Sequence, residues 1–200
     1  PRAEVRNGPI FLTGFYQPAS ECGGDLWGRY SLGDGIELVF IGDALGHGAP
    51  AALVTAMAYS ITMTVTDIVH ERPELRGSPA GILDRLNRVI HEAVRGSISM
   101  TFFAAIIDTN EGVITYSNAG HNFPVIIPEN PSDDRVARAT LPNARVQPLS
   151  LKLRGTPLGM EAKSQYQNRQ VQLRAGDKIL LFTDGLIECS SPKDEVWGRK

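Results

Sequence analysis

The chain has 200 residues and a formal net charge of −2, and 42% of its residues are hydrophobic and 21% charged. These values are typical of a soluble globular protein, and a chain of this length can bury roughly 70% of the surface that it exposes when unfolded. Because Lys and Arg are scattered rather than clustered, the charge pattern argues against a nucleic-acid partner.

The first half of the chain predicts strands followed by two helices. Residues 10–19 are predicted as a strand that ends at Pro18. Two more strands should flank Asp34-Gly35, because this pair supplies the positive φ that a tight hairpin needs. Pro50 is placed near the start of a long helix, where its missing N–H costs little. The predicted apolar stripe of this helix consists of Leu53, Met57, Ile61, Val65 and Ile68.

A second helix is predicted over residues 78–94, with Ser78 as the N-cap and Pro79 in the first helical position. Its apolar stripe is predicted to contain Ile82, Leu83, Leu86, Val89 or Ile90, and Val94. Strands "TFFAAIID", "GVITYSNA" and "FPVII" follow, and then a polar loop over residues 128–150. "QYQNRQVQL" and "DKILLFTD" are predicted as strands, the latter a buried one. Helices grouped between antiparallel strands favour an α+β fold of packed layers.

Neither the cysteines nor the apolar segments suggest secretion or membrane insertion. Cys22 and Cys189 are too few for a disulfide framework and lack the spacing of a metal site, which suits a reducing cytoplasm. The N-terminal residues have the wrong order of charge and apolarity for a signal peptide. Residues 51–69 are apolar but interrupted by Thr and Ser, so we expect a buried core helix and no membrane span. The expected location is cytoplasmic, which includes the cytoplasmic domain of a larger sensor.

Three aspartates share a local pattern, since each lies at or beside a predicted strand with glycine nearby. They are Asp25 in "ECGGDLW", Asp43 in "FIGDALGHG" and Asp184 in "LLFTDGLIE". Asp25 and Asp43 flank the predicted hairpin and could face each other on paired strands. Mg²⁺ and Mn²⁺ prefer such carboxylate oxygens, whereas four unpaired histidines argue against zinc. The alternative is that each aspartate caps a turn, as Asp commonly does before Gly.

Six short motifs occur in an order that resembles one known family. They are "ECGGDLW", "FIGDALGHGAPAAL", "MTFFAAIID", "SNAGHNFPVII", "GTPLGM" and "LLFTDGLIE". Together they resemble the SpoIIE/RsbU-type branch of the PPM metal-dependent serine/threonine phosphatases, from about Phe11 to Gly198. The resemblance implies a β-sandwich of two antiparallel sheets flanked by helices, with a centre for two divalent cations, Mn²⁺ or Mg²⁺.

The resemblance also assigns roles to individual residues. Asp25 matches the first family aspartate near the metals, Asp43 the aspartate that bridges both ions, and Ala44 the residue whose backbone carbonyl is a ligand. Asp184 matches a later aspartate ligand. A water activated by two such ions would attack phosphorus in line, without a phosphoenzyme.

Other motif residues have two possible roles. His47 could orient water or substrate near the start of the long helix, or it could close a turn. Asn118, His121 and Asn122 of "SNAGHN" fit the family signature, but a polar turn between strands accounts for them physically. "GTPLG" is likewise predicted as a turn, with the φ of Pro157 fixed by its ring.

The sequence departs from the family pattern at three places. Family members often carry Ser or Thr where this chain has Leu45, and often a second acid where it has Gly28. The family's final aspartate has no counterpart before Lys200. We therefore expect a single phosphatase domain over residues 1–200 that lacks its C-terminal helices and last strand, and the missing carboxylate would weaken one metal site.

Three functions follow from these observations. The first is a phosphatase that acts on phosphoserine or phosphothreonine of a partner protein, which the resemblance suggests to be an anti-anti-sigma-type STAS domain. The second is a catalytically idle regulatory module of the same fold that binds such a partner. The third is a two-metal hydrolase of small phosphate esters. Such domains commonly follow a sensor or receiver domain, so an upstream domain of that kind is also expected.

Overall fold

The computed structural model describes residues 4–17, 23–72, 77–130, 133–135 and 148–188. The chain divides into two compact units, Pro1–His121 with Arg154–Gln172 and Asn122–Leu153 with Leu173–Lys200. Cys22, Cys189 and most of the predicted loop over residues 128–150 lie outside the described residues. The single domain expected over residues 1–200 stays a prediction.

The described helices and strands follow the predicted order closely. In chain order they are β1 (Glu4–Asn7), β2 (Ile10–Thr13), β3 (Asp25–Gly33), β4 (Ile36–Ala44), α1 (Ala49–Glu71), α2 (Pro79–Val94), β5 (Met100–Asp108), β6 (Val113–Ala119), β7 (Val125–Ile127), β8 (Leu149–Ser150), β9 (Arg169–Gln172) and β10 (Lys178–Leu180). The first unit holds an antiparallel sheet in the order β3-β4-β5-β6-β9 and the separate hairpin β1-β2. The second unit holds the antiparallel sheet β10-β7-β8.

The predicted β3–β4 hairpin is confirmed. Asp34 and Gly35 form its turn with φ values of 53° and 76°. Side chains from the neighbouring β5–β6 turn hold these two residues in place: Thr109 Oγ1 donates to the Gly35 carbonyl at 2.7 Å, and Asn110 Nδ2 donates to the Asp34 carbonyl at 2.7 Å. The turn therefore sets the register of two nine-residue strands.

Helix α1 is present, and its predicted apolar stripe is confirmed only in part, since Val65 is buried and Ile61 packs against the core. The side chains that face the core are Ala51, Val54, Ala58, Thr62, Val65, Thr66 and Val69. Leu53, the first residue of the predicted stripe, is 65% exposed. The buried threonine hydroxyls donate to the carbonyl four residues earlier, Thr62 to Ala58 at 2.8 Å and Thr66 to Thr62 at 2.7 Å. With these donors satisfied, threonine packs like an apolar residue, and the core face is richer in small residues than expected.

Helix α1 also meets the length and composition of a membrane-spanning helix. It has 23 residues, a mean hydropathy of 1.5 over its most apolar window, and 33% of that window buried inside the protein. A core helix of a soluble protein passes the same test, and α1 contacts β3, β4 and α2 of its own unit.

Helix α2 begins as predicted, with the Ser78 side chain accepting a hydrogen bond from the Gly81 amide at 3.1 Å. Its buried stripe contains Ile82, Leu83, Leu86 and Ile90, whereas Val89 is 45% exposed. The stripe packs on β5 and β6. Beneath the helices Phe40 stacks on Tyr30 and Phe102, with ring centroids 5.9 and 5.7 Å apart, so the core of the first unit lies between this sheet and the helices.

Two strand predictions need correction. The strand predicted over residues 10–19 ends earlier, at Thr13, and pairs with β1, which the sequence pattern did not predict. The predicted buried strand "DKILLFTD" is a strand only from Lys178 to Leu180, and Leu180 is 44% exposed. The predicted α+β class with two antiparallel sheets and helices is nevertheless confirmed.

Candidate metal centre

Asp25 and Asp43 lie directly opposite each other on neighbouring strands. Asp25 is the first residue of β3, Asp43 is the penultimate residue of β4, and the two are register partners. Directly opposite residues of an antiparallel pair project to the same face, with Cβ atoms about 4.5–5.5 Å apart. Both residues are half-buried. The structure thus brings together the first two aspartates of the sequence pattern, at the open end of the hairpin.

Glycines around this pair are required by close contacts with other protein groups. A Cβ on Gly42 would lie 2.6 Å from Cδ2 of Phe102, and a Cβ on Gly28 would overlap the ring of Phe40. The rings of Phe102 and Phe40 therefore occupy the space that a side chain at these two positions would need. Gly28, where family members often carry an acid, is buried against Phe40 instead.

The backbone carbonyl of Ala44 lies beside Gly24. The Ala44 amide donates to the Gly24 carbonyl at 3.0 Å, and a Cβ on Gly24 would lie 2.8 Å from the Ala44 carbonyl oxygen. Glycine at position 24 therefore keeps the space beside this oxygen clear. The predicted carbonyl ligand and the residue preceding Asp25 are in contact at the same end of the hairpin.

Two threonines hold the backbone that carries the aspartates, and the sequence analysis missed both. Thr55 of α1 donates from Oγ1 to the Gly24 carbonyl at 2.7 Å. Thr101 of β5 is the register partner of Asp43 and donates from Oγ1 to its backbone carbonyl at 3.4 Å. Thr101 lies inside the motif "MTFFAAIID", and this motif is the sequence signal that points to it. In the sequence, Thr55 only interrupts an apolar run, which gives no signal of this contact.

Tyr16 is a further residue near the pair that the sequence did not indicate. Burial and, second, the negative charge of Asp25 raise the pKa of the Tyr16 phenol above its usual value. The phenol therefore keeps its proton at neutral pH.

The motif "DALGHG" continues from the pair into helix α1. Leu45 is 73% exposed, and His47 is also exposed, between Gly46 and Gly48 with φ values of 94° and 78°. Gly48 is the N-cap residue of α1. This position agrees with both roles considered for His47, which stay open.

The motif "SNAGHN" forms the predicted polar turn at the end of β6. Asn118 Oδ1 accepts from the His121 amide at 2.7 Å, and Asn118 Nδ2 donates to the His121 carbonyl at 3.0 Å. His121 is only 4% exposed, and its Nδ1 lies 2.8 Å from Oγ1 of Thr101. The turn thus contacts the strand that pairs with Asp43.

Asp184 lies in the second unit as the first residue of a 3-10 helix, Asp184–Leu186. It is exposed, and its backbone carbonyl accepts from the amides of Ile187 and Glu188 at 2.8 Å each. Among the described residues of either unit, no three His, Cys, Asp or Glu side chains form a group that could hold a metal ion. The meeting of Asp184 with Asp25 and Asp43 stays a prediction.

The donor chemistry at the hairpin end fits hard divalent cations. Two carboxylates and a carbonyl oxygen are the ligand types that Mg²⁺ and Mn²⁺ prefer. Like charges directly opposite each other on paired strands are destabilising, and a bound cation would remove that cost. Asp25, Asp43 and the Ala44 carbonyl therefore form a suitable part of a metal site.

Comparison with known proteins identifies the family. The family model described as Stage II sporulation protein E (SpoIIE) matches residues 33–200, which is most of the chain. The chain belongs to the SpoIIE family. The matched region includes Asp43 and Asp184, whereas Asp25 precedes it.

Similar proteins agree with the SpoIIE assignment. The phosphoserine phosphatase RsbU of Bacillus subtilis is 29% identical over 174 residues, which are 86% of this chain and 45% of RsbU. The SiaA-PP2C domain of Pseudomonas aeruginosa has a TM-score of 0.70 at 20% identity, covering 92% of this chain and 65% of that one. This likeness confirms the PPM fold, for which PP2C is another name. The chain spans less than half the length of RsbU.

A third similar protein combines two domains. The structure of the RsbU and RsbW domains of a Mycobacterium tuberculosis protein has a TM-score of 0.62 and 26% identity. The match covers 86% of this chain and 42% of that one. An RsbU-type domain thus occurs together with an RsbW domain in that protein.

Proposed function

We propose that this chain is a metal-dependent serine/threonine protein phosphatase domain. It would hydrolyse phosphoserine or phosphothreonine on a partner protein. The observation that carries the proposal is the register pairing of Asp25 with Asp43 in a chain of the SpoIIE family. The name of RsbU, a phosphoserine phosphatase, supports the substrate class.

Residues of this chain would hold two divalent cations, Mn²⁺ or Mg²⁺. Asp25 and Asp43 provide carboxylate oxygens, Ala44 its carbonyl oxygen, and Asp184 a further carboxylate by family motif. When bound, such ions activate a water molecule for attack on phosphorus and neutralise charge on the phosphoryl oxygens.

The protein's own contribution is to fix these oxygens and to keep the site accessible. Gly24 leaves the space beside the Ala44 carbonyl clear. Half-burial of Asp25 and Asp43 lowers the local dielectric constant, which strengthens their attraction for cations.

The proposed partner is a phosphorylated anti-anti-sigma-type STAS protein in a partner-switching circuit. The RsbU relative and the protein with joined RsbU and RsbW domains support a regulatory partner of this general kind. We further propose that the chain acts in the cytoplasm, behind a sensor or receiver domain.

The test is release of phosphate from a phosphoserine STAS protein by the full-length protein with Mn²⁺. Asp43→Asn should reduce the rate by orders of magnitude, because it removes one of the two opposed carboxylates. Glu111→Gln, at an exposed residue of the β5–β6 turn, is the matched control and should leave the rate unchanged. An equal rate in excess chelator would exclude the proposed chemistry.

Two further measurements separate the other functions. Tight binding of the STAS protein without Mn²⁺ binding or phosphate release would identify a catalytically idle module. Faster hydrolysis of small phosphate esters or nucleotides than of phosphoproteins would instead identify a hydrolase of small molecules.

A further inference from the structure

The turn after β6 holds one buried histidine in a defined place. Both hydrogen-bonding groups of the Asn118 amide are used on the backbone of His121, at 2.7 and 3.0 Å. Gly120 between them has a φ of 72°, and a Cβ there would lie 2.8 Å from Cγ of Pro157. A bridge between Phe102 and Gly120 ties the turn to β5. The position of His121 is therefore set by several independent contacts.

This histidine reaches the backbone of Asp43 through one hydroxyl group. His121 Nδ1 lies 2.8 Å from Thr101 Oγ1, and the same oxygen lies 3.4 Å from the Asp43 carbonyl oxygen. A hydroxyl has a single hydrogen, and the carbonyl can only accept. When Thr101 donates to Asp43, its oxygen must accept from His121, so Nδ1 carries the ring hydrogen. The imidazole then fixes the direction of the threonine hydroxyl.

We propose that His121 and Thr101 are positioning residues that orient the peptide group between Asp43 and Ala44 for metal binding. This inference rests on the proposed function, since the metal ligands are those of the phosphatase site. This peptide group contains the Asp43 carbonyl. If the peptide group rotated, the directions of the Asp43 carboxylate and of the Ala44 carbonyl would change. At 3.4 Å the bond to Asp43 is long for an O–H···O hydrogen bond, and it acts together with the 3.0 Å bond from the Ala44 amide to Gly24, which holds the other end of the same peptide group.

The first test compares Thr101→Val with Thr101→Ser in the full-length protein. Valine keeps the branched shape without the hydroxyl, and serine keeps the hydroxyl. Loss of groups that orient metal ligands typically costs 10–100-fold in affinity, so we expect Thr101→Val to weaken Mn²⁺ binding at least about tenfold by calorimetry. Thr101→Ser should stay within about twofold of the parent. A purely structural role would lower the melting temperature of Thr101→Val but leave its Mn²⁺ affinity unchanged, and that result would overturn the inference.

The second test needs neither a variant nor a metal. Nitrogen-15 spectra of the metal-free parent protein report which ring nitrogen of His121 carries hydrogen. Hydrogen on Nδ1 is expected. Hydrogen on Nε2 alone would mean that Thr101 donates to the histidine and not to Asp43, and this result would overturn the inference even if Thr101→Val did not fold.

Failure of the inference can be told from failure of the proposed function. Mn²⁺ binding that depends on the Thr101 hydroxyl, without phosphate release, would support the positioning role and contradict the phosphatase. Phosphate release together with an Mn²⁺ affinity that does not depend on the Thr101 hydroxyl would support the phosphatase and contradict the positioning role. A parent protein that binds no Mn²⁺ would overturn both.

Discussion

Thr55, on the second turn of helix α1, donates a 2.7 Å hydrogen bond to the carbonyl of Gly24, 31 residues earlier in the chain. The acceptor belongs to the residue immediately before Asp25. A side chain of the helix thus holds the start of strand β3, so any shift of α1 would be felt at one of the two opposed aspartates.

Removing the Thr55 hydroxyl should loosen this link at modest cost. The Gly24 carbonyl keeps its other donor, the Ala44 amide at 3.0 Å, so Thr55→Val should cost only about 0.5–1.5 kcal/mol of unfolding free energy. Urea unfolding of the metal-free protein measures this, with Thr55→Ser as the control that retains the hydroxyl. A loss equal in both variants would show that the hydrogen bond is not the cause.

Adding a methyl group at Gly24 should impair metal binding more than folding. The new Cβ would lie 2.8 Å from the Ala44 carbonyl oxygen, which is backbone and cannot swing aside as a side chain would. We expect Gly24→Ala to cost about 1–3 kcal/mol and to weaken Mn²⁺ binding, measured by urea unfolding and calorimetry.

Gly77→Ala is the matched control for Gly24→Ala. Gly77 has no atom within 4 Å of its Cβ position, and it is exposed. The same methyl group should therefore have little effect there. Equal Mn²⁺ affinity in both variants would contradict the role given to Gly24.

Features set by a few neighbouring residues could be predicted from the sequence. The pair Asp34-Gly35 predicted the hairpin turn, and this turn brings Asp25 opposite Asp43. Ser78 and Pro79 likewise predicted the start of α2. In each case the residue type alone fixes the backbone angle or the hydrogen bond, so no distant contact is needed to make the prediction.

Features that depend on distant contacts could not be predicted. Ala58 and Thr62 face the core from α1 whereas the larger Leu53 is exposed, because burial depends on how closely the helix approaches the sheet. Thr55 and Thr101 act on carbonyls 31 and 58 residues away, which no local pattern reports. An approach of Asp184 to Asp25 and Asp43 would also depend on distant contacts, so no local pattern reports it.

Neutralising Asp43 should have opposite effects with and without metal. In chelator, Asp43→Asn removes the repulsion between opposed carboxylates, so the variant should be as stable as the parent or more stable, by about 0.2–1 kcal/mol. With Mn²⁺ at 100 times its dissociation constant, the parent should gain about 2.7 kcal/mol, or about 5–10 °C in melting temperature.

The variant should lose most of that gain in Mn²⁺. Differential scanning calorimetry of both proteins in both buffers measures the four values. If Asp43→Asn were strongly destabilised in chelator, Asp43 would be a structural residue and its pairing with Asp25 would need another explanation.

A cluster of ion pairs in the second unit should make that unit sensitive to acid. The guanidinium of Arg135 lies 2.6 Å from Asp133 and 2.7 Å from Asp177, and both carboxylates are almost fully buried. The hydrogen bonds from Arg135 hold the pKa of Asp133 well below its usual range. Burial alone would raise the pKa of Asp177, but the Arg135 hydrogen bond and charge outweigh it and lower that pKa as well.

Because both pKa values are lower in the folded state, the stabilisation is present above the ordinary carboxyl pKa of about 4 and is lost as the pH falls below it. Arg135→Met should therefore destabilise the protein at pH 7 and flatten the loss of stability between about pH 5 and pH 2, since the carboxylates lose the partner that lowered their pKa values. Urea unfolding across this pH range measures the slope. Lys178→Met is the matched control, because it breaks the exposed ion pair with Glu129 at 3.1 Å. Exposed ion pairs contribute little to stability, so this variant should lose stability with falling pH at the same slope as the parent. An unchanged slope in Arg135→Met would mean that other groups govern acid unfolding.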